Sequence, residues 1–199
     1  MPALKPIHVL SLAAIAAVSL SVAVRAGGDK VAFPADYAKG VLYTTVDRPD
    51  NKQFRELYAP KAAIDAVKAG KPIPSGTALT MLNFKAKLGA DGNPEKDANG
   101  RFIKTDDLVG YVVMEKRTGW GTEYPDDTRN GEWEYQAFTP AKAVNDKANL
   151  KACFTCHKPH AGQDFVISLA GLKGTTEGAV AKPAPGPGVV SISDFKFGP

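Results

Sequence analysis

Residues 75–88, SGTALTMLNFKAKL, form the longest strand candidate in the chain, and the fold is built outward from them. Successive side chains of a strand point to opposite faces. One face would carry Leu79, Met81, Asn83 and Lys85, and the other would carry Ala78, Thr80, Leu82 and Phe84. The stretch therefore predicts a long β-strand with apolar residues on both sides.

Four other stretches have the alternation or the β-branched and aromatic content of strands. They are VLYTTVD (41–47), FRELYA (54–59), DLVGYVVMEKR (107–117) and EWEYQAF (132–138). Turn-rich loops such as 89–100 join most of them at hairpin length. The predicted fold class is α+β, an antiparallel sheet of about five strands with flanking helices.

Two helices are predicted around this sheet. The first has Pro60 at its first helical position, continues through KAAIDAVKAG and stops at Gly70. The second is predicted from Pro140, with Thr139 as its cap, and runs into the motif CFTCH at residues 153–157. One flanking helix would therefore carry this motif.

Length and composition fit one folded domain with appendages. The chain has 199 residues, of which 44% are hydrophobic and 23% are charged. The formal charge of +4 is spread along the chain, so it gives no argument for nucleic-acid binding.

The two ends read differently from the middle. Lys5 and His8 precede VLSLAAIAAVSLSV, and Val24-Arg25-Ala26 has the small-residue pattern of a cleavage site. We interpret 1–26 as a cleaved export signal, with an uncleaved anchor as the alternative, and expect a periplasmic protein. Residues 27–172 form the predicted domain, and 173–199 form a Gly- and Pro-rich tail that we expect to be loosely ordered.

The motif holds the only two cysteines of the chain, Cys153 and Cys156, followed at once by His157. Cys-x-x-Cys-His is the attachment signature of c-type haem. Two thiols one helical turn apart can reach both vinyl groups of one haem, and the imidazole that follows can coordinate its iron. We therefore predict one covalently bound haem c, held by Cys153 and Cys156, with His157 as the proximal iron ligand.

Other readings of the motif have less support. A thioredoxin-like dithiol needs a βαβ context, which is missing here. A zinc site needs four ligands, and the nearest spare one is His160. A disulfide between residues three apart would be strained and would close almost no loop. His160 itself reads as a partly exposed histidine beside the helix end.

The chain resembles the cytochrome P-460 family, which includes cytochrome c′-beta. The resemblance covers roughly residues 33–172. It rests on three stretches in this order: FRELYAPKAAIDAVKAGKPIPSGT, GEWEYQAF and CFTCHKPHAGQDFVIS. It implies a sheet that covers the distal side of the haem, a commonly five-coordinate iron that binds ligands such as nitric oxide, and often a homodimer through the sheet.

Members that oxidise hydroxylamine carry a lysine on the central strand that is bonded to the haem ring. The resemblance places that lysine at Met81, and the next lysine on the strand is Lys85, roughly 13 Å further along. The cross-link is therefore not expected. Whether the protein is an oxidoreductase acting on hydroxylamine or nitric oxide stays open.

The distal pocket candidates decide between two functions. They are Leu79, Met81, Phe84, Met114 and Lys116. An apolar distal wall would leave the sixth iron site free for a gas or a hydroxylamine-like ligand, with electrons passing to a redox partner protein. The alternative is an electron-transfer cytochrome with a six-coordinate His/Met haem, because Met81 or Met114 could supply the thioether.

Overall fold

Five strands form a single antiparallel sheet in which the spatial order of the strands equals their order in the chain. The computed structural model describes residues 30–175. The strands are β1 (Val41–Arg48), β2 (Gln53–Ala59), β3 (Thr77–Ala86), β4 (Lys104–Lys116) and β5 (Trp133–Phe138). The predicted α+β class, with an antiparallel sheet, is confirmed.

Three α-helices and two short 3₁₀ helices accompany the sheet. The α-helices are α1 (Lys61–Lys68), α2 (Leu150–His157) and α3 (Leu169–Gly174). The 3₁₀ helices cover Tyr37–Lys39 and Lys158–Gln163. Within residues 30–175, no helix has both the length and the apolar composition of a membrane span.

The sheet packs a separate apolar cluster on each face, which is why β3 is apolar on both sides. We call the face with the helices the helical face. Its cluster contains residues from the sheet and from all three helices: Tyr43, Leu79, Met114, Trp133, Tyr135, Ile64, Phe154 and Leu172, among others. The cluster on the opposite face is smaller and includes Leu82, Tyr111, Val113 and Phe138.

The segment after β5 is not helical from Pro140, so that part of the sequence prediction is wrong. Lys142 adopts a left-handed conformation with φ of 65°. The chain then turns back, and the backbone N–H of Asn145 donates to the carbonyl of Ala137 at 2.9 Å. Residues 139–145 thus satisfy polar groups of the edge strand, and the helix begins only at Leu150.

The predicted domain limits concern regions that the structure describes only in part. Helix α3 runs through Gly174, and Thr175 is buried, with its hydroxyl donating to the carbonyl of Gly171 at 2.7 Å. The first residues of the predicted tail are therefore part of the fold. The predicted export signal at 1–26 and the tail beyond 175 lie outside the described residues.

Candidate functional site

A cavity of about 230 Å³ lies between the helical face of the sheet and helix α2. Its sheet wall is mostly apolar and includes Leu57, Leu79, Met81, Val112 and Met114. Its other wall contains all three residues of the CxxCH motif, Cys153, Cys156 and His157. The fold thus brings the late motif against the strand that the sequence marks as central.

Helix α2 presents the two thiols to this cavity. Cys153 and Cys156 are three residues apart on the helix, so both lie near one face of it. They are unbridged, and burial raises the pKa of Cys153 to about 11 and shifts that of Cys156 in the same direction. Within residues 30–175, no cluster of three or more His, Cys, Asp or Glu side chains forms a metal site.

The imidazole of His157 is held in one tautomer by the backbone. Its Nδ1 lies 2.7 Å from the carbonyl oxygen of Phe165. A carbonyl can only accept, so Nδ1 carries the proton and Nε2 keeps a free lone pair. Burial lowers the pKa of His157, which favours the same neutral form. A neutral imidazole with an available Nε2 is the form that ligates a metal.

The carbonyl of Phe165 reaches His157 through an unusual turn. Asp164 and Phe165 both have left-handed backbones, with φ of 50° and 58°. Non-glycine residues in this region cost roughly 1–3 kcal/mol each. Gly131 makes room for the turn, because a Cβ at that position would lie 3.0 Å from the Phe165 ring.

Three of the five predicted distal residues line the cavity: Leu79, Met81 and Met114. The other two lie elsewhere. Phe84 faces away from the cavity, because strand alternation puts it on the opposite face, where the ammonium of Lys104 lies 4.3 Å from its ring centroid. Lys116 does not line the cavity and instead pairs with Asp164 at 2.7 Å. His160 lies in the 3₁₀ helix after α2 and is absent from the cavity lining as well.

Polar cavity residues that sequence analysis missed come mainly from β1 and β2. Arg48 and Arg55 both line the cavity. Arg48 is neutralised by Asp50, with contacts of 2.8 Å and 2.6 Å. Arg55 is buried, and its Nε has no hydrogen-bond partner among the described residues. The alternation of β2 carried a signal for it, since Arg55 shares a face with the apolar Leu57.

These residues fit a haem. Two thiols, an imidazole with a free Nε2 and an apolar wall match the needs of the ring and its iron. A buried guanidinium with an unsatisfied N–H is costly unless an anionic partner is present, and haem carries two propionates. The orphaned Nε of Arg55 therefore agrees with a group that brings its own carboxylates into the cavity.

The loop before β5 anchors the motif helix. The side-chain amide of Asn130 donates to the carbonyl of Phe154 at 3.0 Å and to the hydroxyl of Tyr135 at 2.9 Å. The ring centroid of Tyr135 lies 5.0 Å from that of His157. Lys158 donates to the carbonyl of Arg129 at 2.7 Å and also contacts that of Asp126. Helix α2 is thus tied to β5 and to the loop before it, both within the motif and directly after it.

Comparison with known proteins agrees with this arrangement. The model of the family described as Cytochrome P460 matches residues 34–168, more than half of the chain. The match spans the sheet, the motif helix and the Asp164–Phe165 turn, and it confirms the resemblance inferred from the sequence. No curated protein matched the chain.

Proposed function

The chain belongs to the cytochrome P460 family, and on that premise we propose that it is an exported monohaem c-type cytochrome that binds nitric oxide or hydroxylamine-like ligands. Cys153 and Cys156 would hold the haem by thioethers, and His157 would be the proximal iron ligand. Haem in this cavity would supply an iron centre with an axial site for a small ligand and one-electron redox chemistry.

The observation that carries the proposal is the apolar sheet wall of the cavity. Leu79, Met81, Val112 and Met114 contribute no charge to it. This apolar part of the lining favours small neutral ligands, while the two charged lining residues, Arg48 and Arg55, come from β1 and β2. The apolar residues would limit water on their side of the site, and His157 is held by the Phe165 carbonyl.

A ring cross-link to lysine is not part of the proposal. Lys85 forms an exposed ion pair with Asp107 and is not among the residues that line the cavity. Met81 lines the cavity where the resemblance would place a lysine. Oxidation of hydroxylamine or nitric oxide by this protein would therefore proceed without that bond.

The second candidate function is electron transfer through a His/Met haem. It is favoured by one observation, the presence of both Met81 and Met114 in the cavity lining. A thioether ligand would close the sixth site and raise the reduction potential. Met114 is buried and Met81 is partly exposed, so both also serve as apolar filling.

Optical spectra separate the two candidates. A pyridine haemochrome spectrum first tests for covalent haem c, and its absence would overturn both. A high-spin ferrous spectrum that changes on addition of nitric oxide supports the open site. A low-spin ferrous spectrum that is unaffected by nitric oxide, together with a thioether-to-iron charge-transfer band in the ferric protein, would instead support the electron carrier.

Location and partners belong to the same proposal. The N-terminal sequence supports export to the periplasm, and the family resemblance supports a homodimer through the sheet and a redox partner protein. Fractionation of cells and light scattering of the purified protein test the first two. Recovery of the mature chain from the cytoplasm, or a monomer at all concentrations, would contradict them.

A further inference from the structure

We propose that the ion pair between Lys116 and Asp164 is a positioning device for His157. By fixing the turn that presents the Phe165 carbonyl to Nδ1, it sets how strongly Nε2 can donate to a metal. The inference rests on the proposed function in one respect, the assignment of His157 as the iron ligand.

The turn that presents the Phe165 carbonyl to His157 has an uncommon backbone conformation. Asp164 and Phe165 are consecutive and both left-handed, and neither is glycine. Aspartate tolerates this region better than most residues, whereas phenylalanine does not. Three backbone bonds stay within the segment, from Asp164 to Ala161, from Phe165 to His160 and from Val166 to Gln163. Such a turn persists only where its surroundings hold it, so contacts from outside the segment matter.

The side chain of Asp164 provides the contact to the sheet. One carboxylate oxygen accepts from Lys116 at 2.7 Å, and the other lies 3.4 Å from the indole Nε1 of Trp133. Lys116 is the last residue of β4, and Trp133 is its cross-strand partner at the start of β5. These two contacts fix the position of the turn relative to the paired ends of β4 and β5.

The environment of this ion pair differs from that of a surface pair. The side chain of Lys116 is 12% exposed and that of Asp164 is 32% exposed. In the Lys85–Asp107 pair, which joins β3 to β4, these fractions are 66% and 67%. Shielding from water strengthens the first pair relative to the second, because screening by solvent is smaller.

The chemical consequence falls on His157. A hydrogen bond from Nδ1–H to an acceptor raises the basicity of the imidazole and fixes its orientation. A more basic Nε2 favours ferric over ferrous iron and stiffens the bond from iron to histidine. Loss of the Lys116–Asp164 ion pair should weaken the hydrogen bond from Nδ1 to the Phe165 carbonyl. It should therefore lower the iron–histidine stretching frequency and raise the reduction potential.

Asp164→Asn is the test variant, since asparagine keeps the size of the side chain and tolerates a left-handed backbone. In the purified haem-loaded protein, we expect the ferrous iron–histidine Raman band to move to lower wavenumber and the midpoint potential to rise. Lys116→Met should shift both quantities in the same directions. Lys116→Arg keeps the cation and should restore values close to wild type.

Asp107→Asn is the matched control, because it breaks an exposed pair of the same residue types elsewhere on β4. It should leave the band and the potential unchanged. If Asp164→Asn and Lys116→Met behave like this control, the proposal is overturned. A lowered melting temperature without a spectral or potential shift would also overturn it, because the pair would then serve stability alone.

The test separates this inference from the proposed function. Absence of the pyridine haemochrome signal from the wild-type protein would contradict the proposed function itself. An unchanged midpoint potential in haem-loaded Asp164→Asn would contradict only the role of the ion pair in positioning His157. The midpoint potential can be measured for a five-coordinate or a six-coordinate haem, so the test applies to both candidate functions.

Discussion

The hydroxyl oxygens of Tyr43 and Ser168 lie 2.7 Å apart, which joins the first strand of the sheet to the start of α3. Both residues line the cavity, and Tyr43 is 1% exposed. This hydrogen bond is therefore buried at a point where the helical segment after the motif closes over the sheet.

Tyr43→Phe should destabilise the protein at neutral pH by about 1 kcal/mol, the usual net value of one hydrogen bond. At alkaline pH the difference should shrink. Burial raises the pKa of Tyr43 to about 12 from its ordinary value near 10. Between these values the unfolded chain loses the phenol proton while the folded chain keeps it, so wild-type stability falls as pH rises. Urea unfolding at pH 7 and pH 11 measures both effects.

Ser168→Ala is the control for that experiment. It removes the partner hydroxyl but keeps the buried phenol, so it should lose stability at pH 7 and still show the alkaline decline. If Tyr43→Phe declines between pH 7 and pH 11 as steeply as the wild type, the buried phenol is not the group responsible.

Asn130→Ala should loosen the motif helix. Asn130 is fully buried, and its amide bridges the Phe154 carbonyl and the Tyr135 hydroxyl. Removing it takes one donor from the Phe154 carbonyl, which still accepts from the backbone N–H of Lys158, and one from the buried Tyr135 hydroxyl, which should cost about 1–3 kcal/mol. The midpoint of urea unfolding checks this, with Asn99→Ala in an exposed loop as the control. Equal midpoints for the two variants would contradict the anchoring role.

Arg55→Met should lower the reduction potential of the haem-loaded protein. The guanidinium adds a buried positive charge to the cavity, and positive charge favours the ferrous state, which carries one more electron. We expect a decrease on the order of 60 mV, which corresponds to a tenfold change for a one-electron couple. Spectroelectrochemical titration measures it.

Arg101→Met serves as the control for Arg55. Arg101 is paired with Asp47 at 2.8 Å and does not line the cavity. Its loss should leave the potential near that of the wild type. A potential that is unchanged or higher in Arg55→Met would mean that Arg55 does not act on the haem electrostatically.

Met81→Ala should leave the ferrous spectrum high-spin and responsive to nitric oxide, because the proposed function gives Met81 a wall position only. At a fully packed site, such a truncation lowers the free energy of unfolding by about 2–5 kcal/mol. The decrease should be smaller for Met81, because this side chain is partly exposed. Met114→Ala is the matched comparison, since it too removes a cavity methionine. A thioether band that is present in the wild type and lost in only one variant would identify that methionine as a ligand.

The sheet was predictable because its signals are local. The alternation in Leu79, Met81 and Leu82 and the turn residues between strands depend on neighbours in sequence. The segment after β5 was not predictable in the same way. Its alanines and lysines favour a helix, but the edge of β5 offers hydrogen-bond partners that Asn145 takes, and this competition is visible only in three dimensions.

The lining of the cavity was predictable where a spaced motif defines it and less so elsewhere. Cys153, Cys156 and His157 share a fixed spacing that carries its own chemistry. Lys116 and Phe84 were expected near the distal pocket, but both lie outside the cavity. Lys116 is at the end of β4 and pairs with Asp164, and Phe84 points to the opposite face of the sheet. Arg55 was missed because a charged residue on an alternating strand normally faces water, and only the cavity shows why this one does not.

Because the strand order follows the chain order, each strand from β2 onwards pairs with the strand that precedes it in the chain. Short separations in sequence make such pairings fast, since little chain entropy is lost in closing each loop. Helix α2, which carries both cysteine thiols, follows all five strands in the chain. Attachment of the prosthetic group would therefore depend on the last third of the chain, which follows every strand of the sheet.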